Sequence, residues 1–166
     1  PAQELDDFIP ALHARKTEAY TLMVTGGEVE LRPGIRDLIS DARDKGFRLA
    51  IATTTTPANV DALLSVTLGG NGDFEVICAG DSVPNKKPAP DVYELALKAL
   101  GLPATACVAI EDSRNGLLSA TAAGIATVVT PGIYTSAHDF GPAALVIDDL
   151  AAVDFEEIYR LTSPAR

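Results

Sequence analysis

The sequence predicts a doubly wound α/β fold with a mostly parallel sheet, in which strand and helix alternate along the chain. Short apolar runs are separated by segments of helical periodicity over most of the 166 residues. Those runs do not alternate apolar with polar, the pattern of strands buried on both faces. Length and composition, with 47% hydrophobic and 22% charged residues, suit one domain with a sizeable core.

Each element has its own signal. Residues 3–23 read as a helix, with Leu5, Phe8, Ile9, Leu12 and Tyr20 at helical spacing. The stretch GGEVELRPG is a turn and linker; Pro33 then opens a helix over 34–45, which Gly46 closes. FRLAIA (47–52) is the first strand, and Pro57 starts a helix over 57–68. After GGNGD, FEVIC (74–78) is the second strand, and the polar loop AGDSVPNKKPAP leads into a helix over 91–100. CVAIE (107–111), IATVV (125–129) and ALVI (144–147) are further strands, with a helix over 114–123 and a last one over 154–161.

Charge and composition exclude several functions. A net charge of −10 argues against nucleic acid as a partner, because phosphate backbones need clustered Lys and Arg. No apolar run approaches a membrane span, so no membrane partner is expected. Cys78 and Cys107 sit in apolar runs without CxxC spacing and read as two free thiols of a cytoplasmic protein. The chain opens on Pro1 with no signal-peptide pattern, as a processed or trimmed protein would.

In such sheets ligands bind outside the carboxyl ends of the strands, and three clusters fall there. The first is IATTTTPAN (51–59), whose Thr53 offers a hydroxyl and a backbone N–H near a helix start, either an anion cradle or a local cap. Thr54 to Thr56 serve capping or ligand contact, and Thr56, before Pro57, is the best cap. The second is Lys87 in KKPAPDVY, able to neutralise a phosphate or pair with a carboxylate. The third is Glu111–Asp112, two adjacent carboxylates that need a cation or a basic partner. Mg²⁺ favours one or two carboxylates plus substrate phosphate oxygens; the bland alternative is that Asp112 or Ser113 caps the helix at Arg114.

The order hydroxyl, Lys-Pro, Glu-Asp carries more information than any member. IATTTTPAN, KKPAPDVY and VAIEDSRNGLLSA resemble motifs II, III and IV of the haloacid dehalogenase (HAD) superfamily. Within it they resemble the phosphatase branch holding beta-phosphoglucomutase, phosphoglycolate phosphatase and the CbbY-like sugar-bisphosphate phosphatases. The ATTTxxN stretch and the GIYTSAHDF loop look most like the CbbY-like group. The resemblance implies a Mg²⁺-dependent phosphatase acting on a small phosphorylated metabolite, a sugar phosphate or bisphosphate. It assigns Thr53 and Thr54 to the phosphoryl group and Lys87 to its charge and to the carboxylate pair. Asp112 becomes a metal ligand, with Glu111 on the metal directly, through water, or paired to Lys87. Asn59 and Arg114 are weaker candidates for substrate contacts.

One departure stands out. The superfamily's first motif, DxDGT after the first strand, supplies the nucleophilic Asp, yet no DxD occurs in these residues: Asp6–Asp7 and Asp148–Asp149 are adjacent pairs. The resemblance therefore implies residues 1–30 as the C-terminal part of a helical cap, and 31–166 as the α/β core without its first, central strand. It also implies that this chain alone is inactive and that it binds Mg²⁺ weakly. Two exposed strand edges would need filling, first by the missing segment kept as a nicked piece, with a strand donated by another copy or direct pairing of the flanking strands as alternatives. A phosphomutase of the same superfamily and a non-catalytic binding fragment are the alternatives. A receiver domain is disfavoured because its acidic pair comes early in the chain rather than late.

Overall fold

The structure, a computed structural model, describes residues 2–80 and 82–162. Pro1 and 163–166, the outer limits of the two expected domains, lie outside the described residues, as does the side chain of Leu5.

Two compact units divide the chain. The first joins Pro1–Leu31 to Thr55–Asn71. It contains α1 (Ala2–Thr25) and α3 (Pro57–Leu68), which pack together around buried Val24, Val60 and Leu64. The N-terminus of α3 forms as its sequence predicts: Pro57 is in the first turn, and the Thr56 hydroxyl accepts from the Asn59 N–H. Two helices cannot enclose every apolar residue between them, and Phe8, Ile9 and Leu12 stay exposed. The sequence placed α3 with the α/β part, because strand–helix alternation does not distinguish the unit to which a helix packs. In the structure α3 groups with α1.

The second unit, Arg32–Thr54 with Gly72–Arg166, is the α/β part. It holds α2 (Ile35–Asp44), β1 (Ala50–Ala52), β2 (Val76–Cys78), α4 (Asp91–Leu100), β3 (Val108–Glu111), α5 (Arg114–Ala122), β4 (Ala126–Val129), β5 (Leu145–Val146) and α6 (Phe155–Tyr159). All pairings are parallel, as expected: β1 with β2, β3 with β4, and β4 with β5. Burial on both faces explains the unalternating apolar runs. Ala109 packs in a cluster with Val92, Tyr93, Ala96 and Ala120 of α4 and α5. Its neighbours Val108 and Ile110 pack instead against Val128, Leu150 and Ile158, together with Ile35 and Leu38 of α2. Alternate residues of one strand thus serve two different cores. The start of α2 is fixed by Gly34 at φ +78°, where a Cβ would lie 2.3 Å from the Ala151 backbone nitrogen.

The sheet is divided. β1–β2 and β3–β4–β5 are separate ladders, and a cavity of about 640 Å³ lies between β1 and β3. Ile51, Ala52, Ala109 and Ile110 line it, with Leu38 and Leu97 among the helical residues around them. Among the described residues, neither β1 nor β3 has a strand partner on the side facing the cavity.

Candidate active site

The carboxyl ends of β1, β3 and β4 meet at a second, open pocket of about 310 Å³. Ala52 and Thr53 enter it from the end of β1, Ile110, Glu111 and Asp112 from β3, and Thr130 from beyond β4. Lys87 comes from the loop before α4, and Arg32 and Ile35 complete the lining. The structure therefore brings Thr53, Lys87, Glu111 and Asp112 to one pocket, all within the α/β unit.

Lys87 and Glu111 form the electrostatic centre. The Lys87 ammonium donates to Glu111 Oε1 at 2.5 Å and to the Ala52 carbonyl at 2.9 Å, which ties the ends of β3 and β1 together. Both side chains are largely buried, 14% and 7% exposed, so the ion pair is held in a low-dielectric setting where each partner depends on the other. Tyr93 adds two contacts. Its hydroxyl donates to the same Glu111 oxygen, and its ring lies 4.9 Å from the Lys87 ammonium. Burial first, and then the charge of Glu111, push the Tyr93 hydroxyl far above its ordinary pKa, so it stays a donor. The other Glu111 oxygen lies against Gly116, where a Cβ would come within 1.7 Å of it. Of the alternatives for Glu111, pairing with Lys87 is the one this geometry supports. Asp112 is exposed and lines the pocket beside it.

The remaining candidates separate. The Thr53 N–H donates to the Cys78 carbonyl at 2.9 Å, continuing the β1–β2 ladder. The Thr53 N–H is therefore engaged in the β1–β2 ladder. Thr54 is exposed beyond it and is not part of the pocket lining. Asn59 lies in the first unit, where its amide oxygen accepts from the Thr21 hydroxyl and its nitrogen donates to Thr55 Oγ1. Asn59 is buried and joins α3 to α1. Arg114 is exposed in the first turn of α5, whose N-cap is Ser113, accepting from the Gly116 N–H at 3.2 Å.

Sequence reasoning missed Tyr93, Gly116, Arg32 and Thr130. Arg32 donates to the carbonyls of Thr130 and Pro131 at 2.5 and 2.9 Å. Its signal was available: a lone arginine in the linker of an acidic chain, directly before the Pro-Gly that starts α2. Tyr93 sits on the helix that follows KKPAP, with no pattern to mark its hydroxyl as aimed at a carboxylate.

The charges of the pocket bear on what it can hold. Arg32 and Lys87 offset Glu111 and Asp112, so a dianionic phosphate beside Asp112 would need added positive charge. An exposed carboxylate suits a hard cation that keeps several waters. Among the described residues no group of three acidic, His or Cys side chains assembles to hold a metal.

Fold and pocket together define a doubly wound α/β protein with hydroxyl, ammonium and carboxylate groups gathered at the carboxyl edge of its sheet. Comparison with known proteins sharpens that class: the pattern of the haloacid dehalogenase-like hydrolases matches residues 2–124. The chain belongs to the haloacid dehalogenase-like hydrolase family. It is 53% identical over 158 residues to Protein CbbY of Rhodobacter capsulatus, covering 94% of this chain and 70% of that protein. A plasmid-encoded Protein CbbY of Cupriavidus necator is 51% identical over 149 residues, covering 89% of this chain and 59% of that protein. Among solved structures, CbbY from Rhodobacter sphaeroides in complex with phosphate superposes with a TM-score of 0.82 at 46% identity, covering 87% of this chain and 65% of that one. A mutant of the same protein in complex with xylulose-(1,5)bisphosphate gives a TM-score of 0.83. The chain thus spans roughly three-fifths to seven-tenths of the length of these relatives.

Proposed function

We propose that this chain is the larger part of a Mg²⁺-dependent phosphatase acting on a small sugar phosphate or bisphosphate, of the xylulose-bisphosphate kind. The observation that carries the proposal is the meeting of Thr53, Lys87 and Asp112 in one pocket. The 46%-identical structures bound to phosphate and to a sugar bisphosphate support the substrate class. The two free cysteines accord with a reducing, cytoplasmic setting.

In this reading the Thr53 hydroxyl and the Lys87 ammonium hold the transferring phosphoryl group. Charge-assisted donors pre-aimed at a developing negative charge are worth most where water is scarce. Glu111 and Tyr93 keep the ammonium in place, and Asp112 holds the metal. Bound there, Mg²⁺ would offset phosphate charge as the bond to the sugar breaks. The nucleophile is an aspartate from outside these residues. Its carboxylate attacks phosphorus, the sugar alkoxide leaves and takes a proton, and water then hydrolyses the aspartyl-phosphate. A strand in the β1–β3 cavity would carry it to a point beside Thr53 and Asp112.

The test is phosphate release from xylulose 1,5-bisphosphate with Mg²⁺ by the protein completed to the length of its relatives. Release of inorganic phosphate is expected, falling about 100-fold or more in Lys87→Ala and Asp112→Asn, the loss typical of a charge-stabilising group. Isomerisation of a sugar phosphate without phosphate release would instead make it a mutase. Turnover unaffected by either substitution would overturn the proposal.

A further inference from the structure

The loop after β4 reaches back to the acidic pair. Thr130 N–H donates to the Glu111 carbonyl at 2.8 Å, fixing the peptide before Asp112. The Thr135 hydroxyl donates to the Asp112 carbonyl at 2.5 Å, fixing the peptide after it. With both flanking peptides tied, φ and ψ of Asp112 are set, and its carboxylate keeps only side-chain torsions.

Thr135 is itself held. Its hydroxyl accepts from the Gly132 N–H at 2.8 Å, which leaves its single proton for Asp112 rather than for the more distant Gly132 carbonyl at 3.3 Å. At the root of the loop, Arg32 clamps the Thr130 and Pro131 carbonyls. Apolar packing does not shape the tip: Ile133 and Tyr134 are 91% and 96% exposed. The course of the loop over Asp112 therefore rests on polar bonds, these together with the Arg114 N–H donating to His138 Nδ1 at 3.5 Å.

We propose that Thr135 is a positioning residue for Asp112, with Arg32 anchoring the strap through which it acts. A solvent-exposed bond of this kind adds little to global stability. Its effect is local, in the direction of one carboxylate. The inference rests on the reading of Asp112 as the metal ligand, so its test has one arm that needs no metal.

In the 166-residue chain, Thr135→Val removes the donor at nearly constant shape, Thr135→Ser keeps it, and Arg32→Met frees the root of the loop. Without metal, the Asp112 carbonyl ¹³C resonance should move upfield in Thr135→Val and stay near wild type in Thr135→Ser, while Asp112 and Ser113 gain fast backbone motion by ¹⁵N relaxation. With Mn²⁺ as probe, followed by water-proton relaxation, affinity should fall roughly 3- to 10-fold in Thr135→Val, the range set by one hydrogen bond of ordinary strength. It should stay within about twofold of wild type in Thr135→Ser, as one retained bond requires. Arg32→Met, which leaves Thr135 intact, should give a smaller loss and keeps the test open if Thr135→Val fails to fold. If wild type and Asp112→Asn bind Mn²⁺ alike, the metal reading fails, and the carbonyl and relaxation data alone decide the positioning role. An Asp112 carbonyl and backbone unchanged in Thr135→Val, or a Thr135→Ser chain as impaired as Thr135→Val, overturns the proposal.

Discussion

Glu111 shows how much one carboxylate can organise. One of its oxygens accepts from Lys87 and from Tyr93, and the other lies against Gly116. Removing the lysine alone would strand a buried negative charge, so Lys87→Met should lower stability by roughly 3 kcal/mol. The double variant Lys87→Met/Glu111→Gln should recover most of that loss in urea denaturation. Equal stability of the single and double variants would mean that the pair is not coupled. Gly116→Ala should act in the same direction, because its methyl group cannot coexist with the Glu111 oxygen in this position. The cysteines give a check through pH. Burial raises the thiol pKa of Cys78, and it does the same for Cys107, partly countered by Arg48. Raised folded-state values mean that stability is fully present below the ordinary thiol pKa of about 8.5 and declines as pH rises above it. Iodoacetamide at pH 8 should therefore label both residues slowly, and quickly once denaturant is added; fast labelling of folded Cys78 would contradict its burial.

Among the elements, the strands are shorter than their apolar runs. FRLAIA yields a ladder only over Ala50–Ala52, and ALVI only over Leu145–Val146. β4 pairs on both sides, β3 and β1 on one side each. Hydrogen exchange by NMR should therefore rank β4 as the most protected strand, with β1 and β3 faster; equal protection of all three would mean that the facing edges are satisfied. Helix starts were legible because their chemistry is local: Thr56 caps α3 before Pro57 as expected, and at α5 the cap is Ser113, one of the two residues that the bland alternative named. Of the pocket residues, Thr53, Glu111 and Asp112 were legible at the ends of strands, and Lys87 in the polar loop before α4. Tyr93 and the strap from Arg32 to Thr135 were not, because their roles come from contacts across 18 to 99 residues of chain. The assignment of α3 to the first unit was hidden for the same reason: it follows from packing on α1, and α3 still reads as an ordinary crossover helix in sequence.

For the molecule as a whole, the β1–β3 cavity and the pocket above it belong to one account. A parallel sheet interrupted at its centre leaves backbone groups of two strands facing an apolar space, an arrangement that recruits another strand. A strand entering parallel to both neighbours would deliver its last residue to the pocket where Thr53, Lys87 and Asp112 meet. The most direct measurement is complementation. The 166-residue chain is co-expressed with the part of its Rhodobacter capsulatus relative that lies outside the matched region, and phosphate release from xylulose 1,5-bisphosphate is assayed with Mg²⁺. The account predicts that the chain alone releases none. The two pieces should co-purify, β1 and β3 amides should gain protection, and turnover should appear that is lost in Asp112→Asn. Turnover by the chain alone, or a co-purified pair whose β1 and β3 amides exchange as before, would contradict it.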